Sequence, residues 1–128
     1  MGTPTGQGET VLLVEDEEVL LAQIKHVLKK LGYAVLAART PSEAMGLAEQ
    51  HAGVIDLLIV DVIMPEMNGR DLSTRLKEMY PELSTLFMSG YTANVVTHRD
   101  MLGEGARFLQ KPFSRHDLAV MIREVLTR

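Results

Sequence analysis

Length, composition and charge narrow the function classes open to this chain. Its 128 residues suffice for one domain around a single hydrophobic core, and 46% hydrophobic with 23% charged residues excludes a disordered chain. The net charge of −4 argues against direct nucleic-acid binding, and the absence of cysteine excludes disulfides and thiolate metal sites.

Residues 1–9 are small and polar, which predicts a flexible N-terminal segment ahead of a single domain at 10–128. The segment has no basic stretch followed by an apolar one, so it does not match a secretory signal. No apolar run approaches the ~20 residues that cross a bilayer. We therefore expect a cytoplasmic protein without a membrane partner.

Five short apolar runs predict five β-strands. They lack the polar alternation of half-exposed strands, which is typical of strands buried on both faces of a parallel sheet. In chain order the runs occupy 11–14, 34–37, 57–60, 86–88 and 108–109.

The segments after the first two strands predict helices. The first has one apolar stripe at helical spacing, and Gly32 follows it where a left-handed cap is expected. Its stripe consists of Leu20, Ile24, Val27, Leu28 and Leu31. The second opens with a capping box at residues 40–43, with Pro41 at the first helical position.

Three more helices are predicted in the second half of the chain. The third carries Leu72, Leu76 and Met79 on one stripe and ends before Pro81. A fourth is predicted over 92–102, although its apolar residues fit a helical stripe poorly, and Ser114 caps a fifth. The inward side chains of the fifth are expected to be Leu118, Met121, Ile122 and Val125. Such β-α units imply right-handed crossovers and helices on both faces of one parallel sheet.

Polar side chains follow the ends of the predicted strands, where open α/β sheets bind ligands. Glu15 and Asp16 close the first strand. Asp61 closes the third, Ser89 closes the fourth, and Lys111 lies one residue past the fifth. Crowded carboxylates repel one another, and a hard divalent cation such as Mg²⁺ relieves that repulsion through oxygen ligands.

Each acid has an alternative interpretation as a solvated loop residue or a helix cap. We adopt it for Glu17 and Glu18, because acids at a helix N-terminus interact favourably with the helix dipole. Asp16 and Asp61 instead follow directly on apolar strands. Together with a hydroxyl and a lysine at neighbouring strand ends, they indicate a binding site.

Four motifs stand in order along the chain: VLLVEDE at 11–17, LIVDVIMPEMNG at 58–69, MSGY at 88–91 and FLQKPF at 108–113. Together they closely resemble the receiver domains of bacterial response regulators, over about residues 10–128. The resemblance implies a flavodoxin-like (βα)5 fold with a parallel sheet of order 2-1-3-4-5 and five flanking helices. It also implies a cis Lys111–Pro112 peptide bond.

The resemblance implies a phosphoryl-accepting site with a bound cation. Asp61 would accept a phosphoryl group from a phosphohistidine on a histidine kinase or phosphotransfer protein. Asp16 and Asp61 would bind Mg²⁺, or alternatively Mn²⁺, together with the main-chain carbonyl of Ile63 and with Glu15 through water. The same site would hydrolyse its own acyl phosphate. Because both reactions would be self-catalysed, the domain would not be an enzyme unless it is part of a hybrid kinase.

The resemblance also implies a switch. Lys111 and Ser89 would each bind a phosphoryl oxygen, and movement of Ser89 would open space for Phe108, altering a protein-interaction face. A static core position for Phe108 remains the alternative. Ile63 and Tyr91 would flank the route of the attacking water, so we expect these bulky side chains to slow hydrolysis.

Two other function classes share part of this pattern. A haloacid-dehalogenase-type phosphatase also uses an aspartate nucleophile and Mg²⁺, but it needs a second acid two residues later, where this chain has Ile63. A receiver-like interaction module without phosphorylation would not need the intact set of Asp16, Asp61, Ser89 and Lys111. The 6–9, 88–92 and 108–113 stretches look similar to the C-terminal receivers of hybrid sensor histidine kinases, which favours that origin over a stand-alone regulator.

Overall fold

A computed structural model describes residues 2–90 and 107–127 of the protein. The helix predicted over 92–102 and the side chain of Tyr91 lie outside the described residues. The described strands are β1 (Thr10–Val14), β2 (Ala34–Ala38), β3 (Leu57–Asp61), β4 (Ser84–Ser89) and β5 (Arg107–Gln110). The described helices are α1 (Glu18–Lys30), α2 (Pro41–Gln50), α3 (Gly69–Met79) and the C-terminal helix (Arg115–Leu126).

The five strands are parallel and form one sheet in the order β2-β1-β3-β4-β5, which confirms the predicted fold and strand order. β1, β3 and β4 lie inside the sheet, and their burial explains their unbroken apolar runs. β2 lies at an edge, where Ala34 is exposed. The prediction of burial on both faces holds only in part for β2: Val35 and Leu36 pack against opposite apolar layers but are half-buried, because an edge strand lacks a neighbouring strand on one side.

Side chains of the sheet pack into two apolar layers, one on each face. Consecutive residues of β1 alternate between them: Leu13 packs under α1 and the C-terminal helix, whereas Leu12 packs under α2 and α3. Both leucines are fully buried, and such burial contributes roughly 1.5–3 kcal/mol per side chain. The two layers hold each strand in register, and the carboxyl ends of the strands are thereby aligned at one edge.

α1 ends and α2 begins close to where the sequence predicts. Gly32 has a φ of 99°, and a Cβ there would lie 2.9 Å from the carbonyl oxygen of Gly6, so this position requires glycine. At the start of α2, Thr40 Oγ1 accepts from the N–H of Glu43 at 3.1 Å. The Glu43 carboxylate, however, accepts from the N–H of Arg39 at 2.7 Å. The predicted capping box is therefore only half formed.

α3 and the C-terminal helix agree with the predictions from the sequence except at one position. Ser114 and Asp117 form a reciprocal capping box at the start of the C-terminal helix. In α3, Leu72 and Leu76 are fully buried, but Met79 is 37% exposed. The prediction of an inward Met79 is wrong, because it is the last residue of the helix and lies beyond the edge of the apolar layer.

Two residues of the N-terminal segment are hydrogen-bonded to the end of α1. The N–H groups of Gly6 and Gly8 donate to the carbonyls of Leu31 and Gly32, at 2.5 Å and 2.9 Å. Thr10 begins β1 directly after this segment. Whether residues 1–9 are flexible stays a prediction. Among the described helices, none has the length and apolar character needed to span a membrane.

Candidate functional site

The parallel sheet brings the chemically distinctive side chains to one edge. Asp61 is the last residue of β3 and Ser89 the last of β4. Glu15 follows the end of β1, and Lys111 follows the end of β5. The Lys111 N–H donates to the Ser89 carbonyl at 2.7 Å, which ties the two strand ends together. The four positions therefore share a site because the strands run in the same direction.

Lys111 joins two carboxylates at the centre of the site. Its Nζ donates to Asp61 Oδ2 and to Glu15 Oε1, each at 2.6 Å. Burial alone lowers the pKa of Lys111, but the hydrogen bonds to Asp61 and Glu15 outweigh it and leave the pKa above its ordinary value. Lys111 is therefore a fixed cation beside the Asp61 carboxylate.

Glu15 is the most buried acid of the site, with 1% of its surface exposed. Oε1 accepts from Lys111, and Oε2 accepts from the N–H of Glu17 at 3.0 Å. Burial raises the pKa of Glu15 above its usual value, and the negative charge of Asp61 adds to that rise, whereas the two donors oppose it. Since its two oxygens are engaged, Glu15 depends on Lys111 for its charge compensation.

Three carboxylates lie close enough to share one cation. Glu15, Asp16 and Asp61 each offer an oxygen, and these oxygens lie within 4.8 Å of one another. With Lys111 as the neighbouring cation, the group of three acids carries an excess of negative charge. Oxygen ligands and excess negative charge fit Mg²⁺, which binds through one or two carboxylates and keeps several waters.

The loop after Asp61 begins against the site. The N–H of Ile63 donates to Asp61 Oδ1 at 3.3 Å, and the Ile63 side chain is 54% exposed. Gly69 begins α3, and a Cβ there would collide with the carbonyl oxygen of Asp61. Gly69 therefore allows α3 to start directly against the main chain of Asp61. A cation-binding role for the Ile63 carbonyl stays a prediction.

Ser89 and Phe108 lie in the interior. Ser89 is 1% exposed at the end of β4. Phe108 is 9% exposed, pairs in register with Phe87 and belongs to the apolar layer under α2 and α3. This position is compatible with a static core aromatic as well as with a switch. The Lys111–Pro112 peptide bond is cis, as predicted.

The comparison with known families decides which family the chain belongs to. A sequence description of the response regulator receiver domain matches residues 11–123. The chain belongs to this family. This receiver is 35% identical over 119 residues to sensor kinase CckA of Brucella abortus, covering 93% of the chain but 13% of that protein. It is 30% identical over 116 residues to response regulator receiver protein CpdR of Brucella abortus, covering 91% of the chain and 95% of CpdR.

A solved structure is similar to this receiver over nearly its whole length. The response regulator receiver domain protein from Clostridium thermocellum superposes with a TM-score of 0.82 at 27% identity, covering 94% of this chain and 95% of that one. The receiver spans 13% of CckA and 52% of another relative, the probable transcriptional regulatory protein TcrX of Mycobacterium tuberculosis. The activities of these longer proteins therefore do not transfer to this chain by similarity alone.

Sequence reasoning did not predict the direct bond between Lys111 and Glu15 in this receiver. Ninety-six positions separate the two residues, so no local pattern links them. One signal was present: residue 15 is a glutamate, whose side chain is one methylene longer than that of an aspartate. The extra length is consistent with a carboxylate that contacts Lys111 as well as the cation position.

Proposed function

We propose that this receiver accepts a phosphoryl group on Asp61 from the phosphohistidine of a histidine kinase or phosphotransfer protein. The observation that carries the proposal is the 2.6 Å bond from Lys111 Nζ to Asp61 Oδ2, beside three carboxylates within 4.8 Å of one another. A carboxylate nucleophile, a fixed cation and a cluster of acidic ligands are the parts that phosphoryl transfer requires.

Asp61 acts as the nucleophile. One of its carboxylate oxygens attacks phosphorus, the P–N bond to the donor imidazole breaks, and the electron pair of that bond leaves with the nitrogen. Lys111 then binds a phosphoryl oxygen, and the Ser89 hydroxyl donates to another. Since the transition state spreads charge over the equatorial oxygens, these donors lower its free energy.

Mg²⁺ supplies additional positive charge at the phosphoryl oxygens when it is bound. We propose that Asp16, Asp61 and the Ile63 carbonyl hold it, with Glu15 contributing through water. Mn²⁺ is the alternative ion, because carboxylate, carbonyl and water ligands suit both. The buried Glu15 also keeps Lys111 near the nucleophile before transfer.

The acyl phosphate is proposed to act as a transient signal. The site that forms it also assists its hydrolysis, so the receiver undergoes self-catalysed phosphorylation and dephosphorylation without being an enzyme for a separate substrate. The added charge and acceptor oxygens draw Ser89 toward the phosphoryl group. Phe108 then moves into the vacated space and alters a face that binds a downstream protein.

We further propose a cytoplasmic location and a protein partner, with no nucleic-acid contact by this domain. The higher identity to the sensor kinase CckA than to CpdR supports an origin in a hybrid histidine kinase. The reading frame upstream of Met1 tests that origin. A kinase ATP-binding domain there supports it, and a stop codon there argues for a stand-alone regulator.

Incubation with acetyl phosphate and Mg²⁺ tests the proposed function. We expect a mass gain of one phosphoryl group that is lost in Asp61→Asn and after removal of Mg²⁺ by a chelator. Asp71→Asn is the matched control, because Asp71 is an exposed acid in the first turn of α3. An unlabelled parent protein would favour the interaction module without phosphorylation, and labelled Asp61→Asn would refute Asp61 as acceptor.

A further inference from the structure

The loop between β3 and α3 contains a residue with a strained backbone. Glu66 has a φ of 74°, in the left-handed region that residues with side chains seldom occupy. The N–H of Met67 donates to the carbonyl of Pro65 at 2.9 Å, so Glu66 is the central residue of a γ-turn of the rare, strained type. Such a conformation persists only where surrounding contacts hold it.

Ser42 supplies those contacts from the start of α2. Glu66 Oε1 accepts from the Ser42 N–H at 3.0 Å and from the Ser42 hydroxyl at 2.8 Å. Ser42 is the second residue of α2, where a backbone N–H has no partner within the helix. The dipole of α2 also favours a carboxylate at this end. We name this pair of hydrogen bonds the Ser42–Glu66 latch.

The latched loop also carries Ile63, whose carbonyl is proposed to bind the cation. On one side of Ile63, the N–H of Val62 donates to the Met88 carbonyl at 2.9 Å, which fixes that end of the loop to the sheet. On the other side, Glu66 is fixed to α2 by the latch. Ile63 therefore lies between two anchors, one on the sheet and one on a helix.

We infer that Ser42 and Glu66 are positioning residues for the cation site and act through the loop that carries Ile63. The inference rests on the proposed function, because it needs the Ile63 carbonyl as a ligand. With the latch in place, the loop keeps one conformation before the ion arrives, and cation binding does not have to order it. Residues that orient metal ligands in this way tune metal affinity without touching the ion.

Met64 and Met67 provide a rival anchor for the same loop. Both side chains pack against the apolar layer under α2 and α3. If these contacts alone fix the loop, the latch adds only a little stability and removing it leaves cation affinity unchanged. The two explanations predict different results. Only if the latch positions the loop does its removal change the affinity for Mg²⁺ separately from the melting temperature.

The test is a calorimetric titration of the full chain with Mg²⁺, alongside thermal unfolding without the ion. Glu66→Ala removes both hydrogen bonds, and its matched control Glu66→Gln keeps an acceptor oxygen. Ser42→Ala removes only the hydroxyl bond, and Ser42→Thr restores a hydroxyl. We expect the Kd for Mg²⁺ to rise roughly tenfold in Glu66→Ala, less in Ser42→Ala, and about twofold or less in the controls.

Equal Mg²⁺ affinity in Glu66→Ala and Glu66→Gln would overturn the inference. So would a loss of affinity that tracks the fall in Tm across all four variants, because that pattern means a purely structural role. A parent protein that neither binds Mg²⁺ nor becomes labelled by acetyl phosphate refutes the proposed function and the latch together. A parent that does both while the four variants match it refutes the latch alone.

Discussion

At the scale of the residue, the site depends on how one lysine divides its hydrogen bonds. Lys111 is bound to Glu15 and Asp61 at equal distances, and it is the cation that compensates their buried charge in this structure. The arrangement keeps the lysine charged and close to the nucleophile. It also places Lys111 in competition with any divalent cation for the same carboxylates.

Replacing Lys111 with methionine separates its role as a donor to the phosphoryl group from its competition with the divalent cation. We expect labelling by acetyl phosphate to slow roughly 100-fold, since a donor to the phosphoryl oxygens is lost. Mg²⁺ should bind more tightly, because Glu15 and Asp61 lose the competing cation. The rate of mass gain and a Mg²⁺ titration measure the two changes, with Lys77→Met as the control at an exposed lysine of α3. Weaker Mg²⁺ binding in Lys111→Met would contradict the competition.

At the scale of the element, the sequence predicted each described strand and helix, with ends that differ by a few residues. Periodicity succeeded because the spacing of apolar residues reflects which side of an element is buried. It failed at Met79 and overestimated the burial of the edge strand β2, because burial also depends on which elements lie opposite. The capping box at Thr40 is only half formed for a different reason: the Glu43 carboxylate accepts from the N–H of Arg39.

The loop between β3 and α3 yields a prediction about signal lifetime. Ile63 is 54% exposed and its N–H donates to Asp61 Oδ1. That its side chain flanks the path of water to an acyl phosphate stays a prediction. We expect Ile63→Asn to speed decay of the phosphorylated protein by roughly threefold, which is about 0.7 kcal/mol in the barrier.

Decay is followed by mass spectrometry after acetyl phosphate is removed. Val54→Asn is the control, because Val54 is 62% exposed and lies ahead of β3, at the opposite end of that strand from Asp61. An unchanged decay rate in Ile63→Asn would show that this side chain does not obstruct the water.

At the scale of the whole molecule, the N-terminal segment is bonded to the end of the chain. Arg123 of the C-terminal helix donates to Glu9 Oε2 at 2.6 Å and to the Tyr33 hydroxyl at 3.5 Å. Burial alone raises the pKa of Glu9, but hydrogen bonds from Arg123 and from the N–H of Gln7 outweigh it and leave the pKa below its ordinary value. A lowered carboxyl pKa means that the pair stabilises the fold at pH values above the ordinary pKa of a glutamate.

Glu9→Gln tests this pH dependence. Because the folded pKa is lowered, the stabilisation is fully present above the unfolded pKa and is lost as pH falls through the folded pKa. We therefore expect Glu9→Gln to lower Tm at about pH 7 and to match the parent in strong acid. Thermal unfolding across pH measures this, with the exposed Glu78→Gln as control. A Tm difference independent of pH would contradict it, and no difference at any pH would favour a flexible segment.

Local pattern was sufficient to predict the described elements, their order along the chain and the residue types at the strand ends, whereas the order of the strands in the sheet was implied by the family resemblance. Those features depend on neighbours a few positions away, and the parallel arrangement follows from the alternation of strands and helices. Tertiary structure alone decided which polar groups meet. Lys111 bonds to Glu15 across 96 positions, Arg123 to Glu9 across 114, and Ser42 to Glu66 across 24. Partner choice depends on side-chain length and strand register, which emerge only once the sheet and its two apolar layers have formed.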